Sequence, residues 1–258
     1  MPIHAKCKLV KKEKLKEDIF KFGIESEEIA KNAKPGQFLE IRVTDEIEPL
    51  LRRPISIYNI DGNLVEFIFQ VKGKGTEILK TKEVGEYIDI LGPLGKGTFE
   101  YKNKKNIAII GGGIGVFPLY ELAKEAKESA NVNIYLGFRS KDFVVLEEEY
   151  SKVSDKLVIT TDDGSYKEKG FAIDFLKQDI EKENIDGIFA CGPLTMLKAV
   201  QAFAKEKKIP CQISLEERMS CGIGACLGCA VKVNAGEQLV YTHVCKAGPV
   251  FDANVVEI

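Results

Sequence analysis

Asn106-Ile107-Ala108-Ile109-Ile110-Gly111-Gly112-Gly113-Ile114-Gly115-Val116-Phe117-Pro118 separates two patterns in this chain. Ile107 to Ile110 is a continuous apolar run, as expected of a parallel strand buried on both faces. Glycines follow, then a helical stretch from about Phe117 to Ser129. A strand, a glycine-rich turn and a helix leave free amides at the helix start, and those amides attract phosphate. The turn departs from G-x-G-x-x-G, because Pro118 stands three positions after Gly115. The next strand runs into Gly137-Phe138-Arg139 and lacks the acidic end of a standard dinucleotide fold. A tight strand–helix turn also needs glycine for purely steric reasons, so the loop alone does not decide its use.

Downstream of that stretch the pattern alternates. Strands are predicted over Val132–Phe138, Leu157–Thr161 and Gly187–Ala190, with helices near Phe171–Gln178 and Met196–Lys207. Such alternation implies a parallel sheet covered on both faces. Upstream, short apolar runs at Phe38–Val43, Ile55–Tyr58 and Leu64–Phe69 are broken by turn residues. Asp61-Gly62-Asn63 between the last two is a hairpin signal. Pro35-Gly36, Gly73, Gly75, Gly92-Pro93 and Gly95 punctuate the rest, and a short helix is expected at Glu77–Thr81. Many short strands predict a small antiparallel barrel.

Toward the C-terminus lies Cys221-Gly-Ile-Gly-Ala-Cys226-Leu-Gly-Cys229, followed by Cys245. The first three cysteines have the C-x4-C-x2-C spacing of a plant-type [2Fe-2S] loop, and Cys245 would close a tetrathiolate. Gly222, Gly224 and Gly228 let the backbone curl around an inorganic core. A zinc site would more usually show two short cysteine pairs or a Cys/His mixture, and only Cys226 and Cys229 form such a pair. A disulfide framework requires an oxidising compartment, and seven cysteines is an odd count.

The 258 residues suffice for two modest domains plus a small module. With 45% hydrophobic and 29% charged residues the composition is that of a soluble globular protein, and a net charge of −2 offers no bulk attraction to nucleic acid. The longest apolar stretch, Ile107 to Tyr120, contains four glycines and a proline and is too short to span a membrane. No signal-peptide core opens the chain, so a cytoplasmic location is expected.

Two turns together resemble the ferredoxin-NADP reductase superfamily: Gly113-x-Gly115-x-x-Pro118, and Cys191-Gly192-Pro193 after the strand ending at Ala190. The resemblance implies that Gly113, Gly115, Cys191 and Gly192 border a nicotinamide nucleotide. An iron–sulfur cluster carries one electron at a time and NAD accepts a hydride, so a flavin is expected between them. Arg53-Pro54-Ile55-Ser56 is similar to the FAD-binding signature of that superfamily. By that likeness Arg53 holds the diphosphate, Ser56 reaches the isoalloxazine, and Pro54 and Ile55 line the same strand. A planar guanidinium suits a phosphate. Ile68, Phe69 and Gln70 lie where the superfamily contacts flavin, though arginine is common at the position of Gln70. Gly75 and Thr76 open a helix, supplying amides and a hydroxyl to an anion. Leu91-Gly92-Pro93-Leu94-Gly95 reads as a further shared turn.

The order of these segments resembles the family of electron-transfer subunits of dihydroorotate dehydrogenase B. Arg52–Ile57, Thr161–Ser165, Glu216–Met219, the cysteine loop and Val244–Phe251 carry the likeness. The expected architecture is α+β and multidomain. It comprises an antiparallel β-barrel FAD domain at 1–101, an α/β parallel-sheet NAD domain at 102–210 and a small [2Fe-2S] module at 211–258. The resemblance implies a separate FMN-containing catalytic subunit that oxidises dihydroorotate in pyrimidine (UMP) biosynthesis, in a heterotetramer of two of each chain. Electrons would cross to a cluster on Cys221, Cys226, Cys229 and Cys245, then to FAD, then to NAD+. No nucleic acid or membrane partner is expected. With only His4 and His243 as histidines, no acid–base constellation for dihydroorotate is evident. His243 is a surface residue or a tuner of the cluster. Asp162-Asp163 makes a polar turn or reads a ribose, and the absence of a basic pair beside it favours NAD over NADP. Rival readings are the flavin/iron–sulfur subunit of a hydrogenase or NADH–ferredoxin transhydrogenase-type complex, and a non-catalytic zinc-binding interaction module.

Overall fold

The computed structural model describes residues 2–236 and 238–258. Six strands close into an antiparallel barrel in the order β1-β2-β5-β4-β3-β6. They are β1 (Ile3–Lys14), β2 (Ile19–Glu25), β3 (Phe38–Arg42), β4 (Arg53–Asp61), β5 (Leu64–Gln70) and β6 (Tyr87–Leu94). Period-2 alternation builds the interior: Leu39 and Ile41 of β3 enter the core, and Glu40 between them lies on the other side of the strand. Phe22, Phe67 and Phe69 fill the barrel, with Phe22 edge-on to Phe69 at 5.1 Å. The hairpin at Asp61-Gly62-Asn63 forms as expected, with Asp61 opposite Leu64 and Gly62 at φ +56°. Helix α1 (Glu27–Asn32) is capped by Ser26, whose Oγ accepts from Ile29 N at 3.3 Å, and it buries Ile29 in the barrel core. Helix α2 (Lys74–Lys80) follows β5.

Two features of the barrel escaped the sequence pattern. Lysines dominate β1, so only Cys7 and Leu9 mark its buried side. Gly92-Pro93 does not turn the chain but lies inside β6, where Gly92 pairs with Ile3. A Cβ at Gly92 would approach Leu39 Cδ2 to 2.5 Å, so this strand needs glycine for packing. The turn begins only at Gly95, at φ +87°.

The following elements are β7 (Asn106–Gly112), α3 (Tyr120–Lys127), β8 (Asn131–Phe138), α4 (Glu147–Lys152), β9 (Lys156–Thr161), β10 (Glu168–Lys169), α5 (Ala172–Ile180), β11 (Gly187–Cys191), α6 (Leu194–Lys207) and β12 (Cys211–Ser214). After the cysteine loop come β13 (Ala230–Ala235), β14 (Gln238–His243), α7 (Val244–Ala247), β15 (Val250–Asp252) and β16 (Val256–Glu257). A seven-stranded sheet runs β10-β9-β8-β7-β11-β12-β15, parallel except for β15. A three-stranded sheet has the order β14-β13-β16. Ile107 to Ile110 are fully buried, as their unbroken apolar run requires. The helix expected from Phe117 instead begins as a 3-10 turn over Gly113–Leu119 and becomes α-helical at Tyr120. Pro118 within that turn cannot donate a backbone hydrogen bond.

By packing, the chain divides into two compact units. One joins residues 1–98 with 216–230 and 242–249; the other joins 99–215 with 231–241 and 250–258. No helix among the described residues is long and apolar enough to cross a membrane. Replacing Phe67, fully buried between Phe22 and Phe69, by alanine should cost about 3–5 kcal/mol. Urea unfolding followed by far-UV circular dichroism checks this, and an unchanged midpoint would contradict a close-packed barrel core.

Candidate functional site

The cysteine loop is shaped by left-handed backbone at Gly222 (φ +69°), Gly224 (φ +82°) and Leu227 (φ +61°). These reversals turn amides inward onto sulfur. Cys221 Sγ accepts from Ile223 N at 3.5 Å and Ala225 N at 3.3 Å, and Cys245 Sγ accepts from Gly224 N at 3.1 Å. Cys245 N donates to Cys229 Sγ at 3.4 Å, and Val244 N donates to Cys229 O at 3.0 Å, so α7 brings Cys245 to the loop. The thiols associate in two pairs, Cys221 with Cys226 and Cys229 with Cys245. Among the described residues no group of three or more His, Cys, Asp or Glu is arranged for a single ion. Two pairs match the two thiolates for each iron of a two-iron core.

The four thiols differ in setting. Cys229 and Cys245 are 1% and 2% exposed, Cys221 is half-buried and Cys226 is exposed. Burial opposes ionisation of Cys221, but the amides of Ile223, Ala225 and Cys226 and the Cys226 side chain outweigh it and bring the thiol down to about 6. Burial, then the hydrogen bond and charge of Cys229, push Cys245 up to about 12.

This loop belongs to the same compact unit as the barrel. Lys96 N donates to Lys246 O and Gly97 N to Gly248 O, both at 3.0 Å. A Cβ at Gly222 would lie 2.6 Å from Glu40 Cγ on β3. Glu40 is fully buried, and neither carboxylate oxygen has a hydrogen-bond partner. Sequence reasoning missed it, because a glutamate on the outer face of a barrel strand reads as solvated. Close by, Arg52 bonds Asp89 at 2.8 Å, and His4 Nε2 meets the same carboxylate at 2.8 Å.

In the barrel, β3 and β4 pair Ile41 with Arg53, Glu40 with Pro54, Leu39 with Ile55 and Phe38 with Ser56. Arg53 and Gly75 meet: a Cβ at Gly75 would sit 2.1 Å from Arg53 Nε. The guanidinium also donates to Leu51 O. The Thr76 hydroxyl is engaged in the turn that starts α2, accepting from Lys72 N at 3.0 Å and Gly73 N at 3.3 Å and donating to Gly73 O at 3.0 Å. Phe69 is committed to the core, stacked on Phe20 at 5.9 Å, and its neighbour Ile68 is buried as well. Gln70 donates to Asp18 at 2.6 Å.

In the second unit the glycine loop and the Cys191-Gly192 turn pack against each other. Gly111 of β7 lies opposite Cys191 of β11. A Cβ at Gly115 would come within 2.5 Å of Cys191 O, and one at Gly112 within 2.8 Å of Pro193 Cδ. β7 is followed outward by β8 on one side, while β11 returns on its other side. Both turns therefore stand at the carboxyl ends of the strands where the winding reverses, the usual place for a nucleotide in such sheets. Asp163 makes a polar turn: its Oδ1 accepts from Ser165 N at 2.9 Å and Ser165 Oγ at 2.6 Å, with Gly164 at φ +74°.

These environments order the reactivity of the metal-free thiols. Cys221 should react with iodoacetamide ahead of Cys7 and Cys211, which are buried, with burial pushing Cys211 up to about 12. The lowered Cys221 value means that its labelling rises through pH 6 and levels off above it. Mass spectrometry after timed labelling of metal-free protein reads the order, and equal rates at all sites would contradict it.

Three family descriptions match the chain in succession. An oxidoreductase FAD-binding domain covers residues 6–101 and an oxidoreductase NAD-binding domain 109–202. The iron-sulfur cluster binding domain of dihydroorotate dehydrogenase B covers 216–257. The chain is 39% identical over 258 residues, 98% of each sequence, to the dihydroorotate dehydrogenase B (NAD(+)) electron transfer subunit of Lysinibacillus sphaericus (strain C3-41). It is 40% identical over 249 residues, 94% of each, to the protein of that description from Bacillus mycoides (strain KBAB4). Among solved structures it resembles NADH-dependent reduced ferredoxin-NADP oxidoreductase, at TM-score 0.86 and 34% identity over 98% of this chain and 90% of that one. It also shares its fold with the ferredoxin reductase in carbazole 1,9a-dioxygenase, at TM-score 0.67 and 19% identity over 81% of this chain and 67% of that one. A barrel carrying a paired-cysteine loop, a parallel sheet with glycine turns at its winding reversal, and identity along almost the whole length agree: the chain belongs to the family of dihydroorotate dehydrogenase B (NAD(+)) electron transfer subunits.

Proposed function

We propose that this chain carries electrons from a separate dihydroorotate-oxidising subunit toward NAD+ in pyrimidine (UMP) biosynthesis. The observation that carries the reading is the paired-cysteine loop on a flavin-type barrel, within a chain 39% identical end to end to an electron transfer subunit. Three segments divide the work: 1–101 for FAD, 102–210 for NAD and 211–258 for the cluster. Cys221, Cys226, Cys229 and Cys245 hold a [2Fe-2S] core as two thiolate pairs, and the loop amides donate to their sulfurs. Arg53, with Gly75 leaving room beside its guanidinium, grips the flavin diphosphate, and Pro54, Ile55 and Ser56 border the ring. Gly75 and Thr76 supply backbone at the start of α2, since the Thr76 hydroxyl is spent on the turn. Ile68, Phe69 and Gln70 form the adjoining strand. Gly113, Gly115, Cys191 and Gly192 present backbone to the dinucleotide at the sheet's winding reversal. When bound, the cluster passes single electrons, the flavin exchanges one-electron for two-electron traffic, and the nicotinamide takes a hydride.

Oxidation of dihydroorotate is assigned to the partner, an FMN-containing catalytic subunit, in a cytoplasmic heterotetramer of two of each chain. Of the two histidines, His4 is bonded to Asp89 and His243 precedes α7. Exposed Cys226, flanked by exposed Ile223 and Leu227, offers the partner a short path to the cluster.

A second reading has its own observation. The likeness to NADH-dependent reduced ferredoxin-NADP oxidoreductase, at TM-score 0.86 and 34% identity, favours a subunit that exchanges electrons with ferredoxin. Purification with the native partner separates the two. Orotate formation from dihydroorotate with NAD+ supports the first reading; ferredoxin reduction with dihydroorotate left untouched supports the second.

Within the chain, Cys226→Ser should abolish the [2Fe-2S] electron paramagnetic resonance signal while NADH still reduces an artificial acceptor through FAD. Loss of both activities in a folded variant would contradict the proposed cofactor order. Gly75→Ala forces a methyl onto Arg53, an overpacking cost of about 1–3 kcal/mol. FAD affinity should fall about tenfold for each 1.4 kcal/mol, measured by flavin fluorescence on titration of the stripped protein. Unchanged affinity would remove Arg53 and Gly75 from the flavin site.

A further inference from the structure

We propose that Tyr150 is a positioning residue for the dinucleotide: its hydroxyl holds the Val116 carbonyl and so fixes the glycine turn that receives the ligand. The inference rests on the nucleotide reading of Gly113, Gly115, Cys191 and Gly192 given above. Tyr150 stands on α4 and is fully buried. Its hydroxyl donates to Val116 O, 34 positions earlier in the chain. A carbonyl can only accept, so the phenol is the donor. Burial, with the Cys191 and Tyr120 side chains adding to the rise, pushes the phenol well above its ordinary range and keeps that proton in place.

Two features aim the hydroxyl. The ring stands edge-on to Tyr120, with centroids 5.5 Å apart and planes at 86°, so packing against the start of α3 sets its direction. Leu146, at the head of α4, is held left-handed at φ +61°. A leucine does not take that conformation by preference, so the surrounding structure imposes the entry of α4. Tyr150 N donates to Leu146 O at 3.0 Å, which ties the tyrosine to that entry.

The turn needs an anchor from outside. Val116 lies within the 3-10 turn Gly113–Leu119, and Pro118 removes one main-chain donor from it. Val116 packs down on β7, where a Cβ at Gly111 would lie 3.0 Å from Val116 Cγ1. Gly115 packs on the Cys191 carbonyl, 2.5 Å from where its own Cβ would stand. The sheet thus holds the underside of the turn, and Tyr150 holds its main chain from α4. Gly113 differs. At φ +54° it has no described atom within 4 Å of a Cβ position, so the turn is open at its start, where helix amides attract a phosphate. An anchored turn presents those amides in one orientation, and a ligand then binds without the cost of ordering them.

Binding and kinetics of the full-length, FAD-loaded chain test this. Tyr150→Phe deletes one oxygen and keeps the ring against Tyr120. The Kd for NADH and for ADP-ribose should each rise about tenfold, as for a turn left in its binding shape about a tenth of the time. In reduction of an artificial acceptor the KM for NADH should rise in step, with kcat kept within about twofold. A tyrosine of merely structural use would lower Tm and leave both Kd values unmoved, and that result overturns the proposal. So does a fall in kcat at unchanged KM. If the phenylalanine variant does not fold, 4-aminophenylalanine and 4-methylphenylalanine at position 150 carry the test, because both fill the site and only the first donates. The amino form should bind ADP-ribose like the parent and the methyl form about tenfold more weakly; equal affinity in the two overturns the proposal. A parent chain that binds neither NADH nor ADP-ribose would instead sink the nucleotide reading itself.

Discussion

Lys96 N to Lys246 O and Gly97 N to Gly248 O, both at 3.0 Å, bind the segment after the last barrel strand to the segment that carries Cys245. These two bonds are made by main chain alone, yet the loop geometry depends on them. Cys245 lies sixteen positions beyond Cys229, and loop closure over that span costs entropy that local sequence does not repay. The pairing of 96–97 with Lys246 and Gly248 fixes the end of the return, within and just after α7, and α7 sets the Cys245 sulfur under the amide of Gly224. The fourth cysteine thus reaches the loop because the barrel supplies a backbone ledge for it.

A second constraint recurs in both units: backbone must approach backbone, or a polar side-chain head, more closely than a Cβ allows. Gly75 leaves room for the Arg53 guanidinium, and Gly222 for the Glu40 carboxyl. Gly115 leaves room for the carbonyl of Cys191. In the last case two turns distant in sequence become one surface, because β7 and β11 are neighbours where the sheet reverses its winding. What these glycines share is close approach rather than flexibility.

Electrostatics divides the barrel's outer face near the loop into two settings. Arg52, Asp89 and His4 form a compensated cluster at the surface, where the hydrogen bonds of Arg52 and His4 outweigh burial and hold Asp89 below the usual carboxylate range. Glu40, on the adjacent strand, has no hydrogen-bond partner, and burial outweighs the attraction of Arg52 and pushes it the other way. Two carboxyl groups on neighbouring strands thus have their acidities moved in opposite directions by their surroundings.

The sequence by itself determined the class of each element and the chemistry of the cysteine loop. The unbroken apolar run at Ile107–Ile110 could only be a strand buried on both faces, Asp61-Gly62-Asn63 could hardly be other than a hairpin turn, and the C-x4-C-x2-C spacing is a local property of covalent reach. Where periodicity was obscured, the sequence misled: lysines hid β1, and Gly92-Pro93 suggested a turn where the strand continues. Tertiary structure alone decided which residues share a compact unit. It put Cys245 with Cys229, set Gly115 against Cys191, and sealed Glu40 beneath Gly222. The physical reason is that charge state and close approach depend on what covers a residue. For Glu40 that covering comes from Gly222, far along the chain, and no local pattern records it.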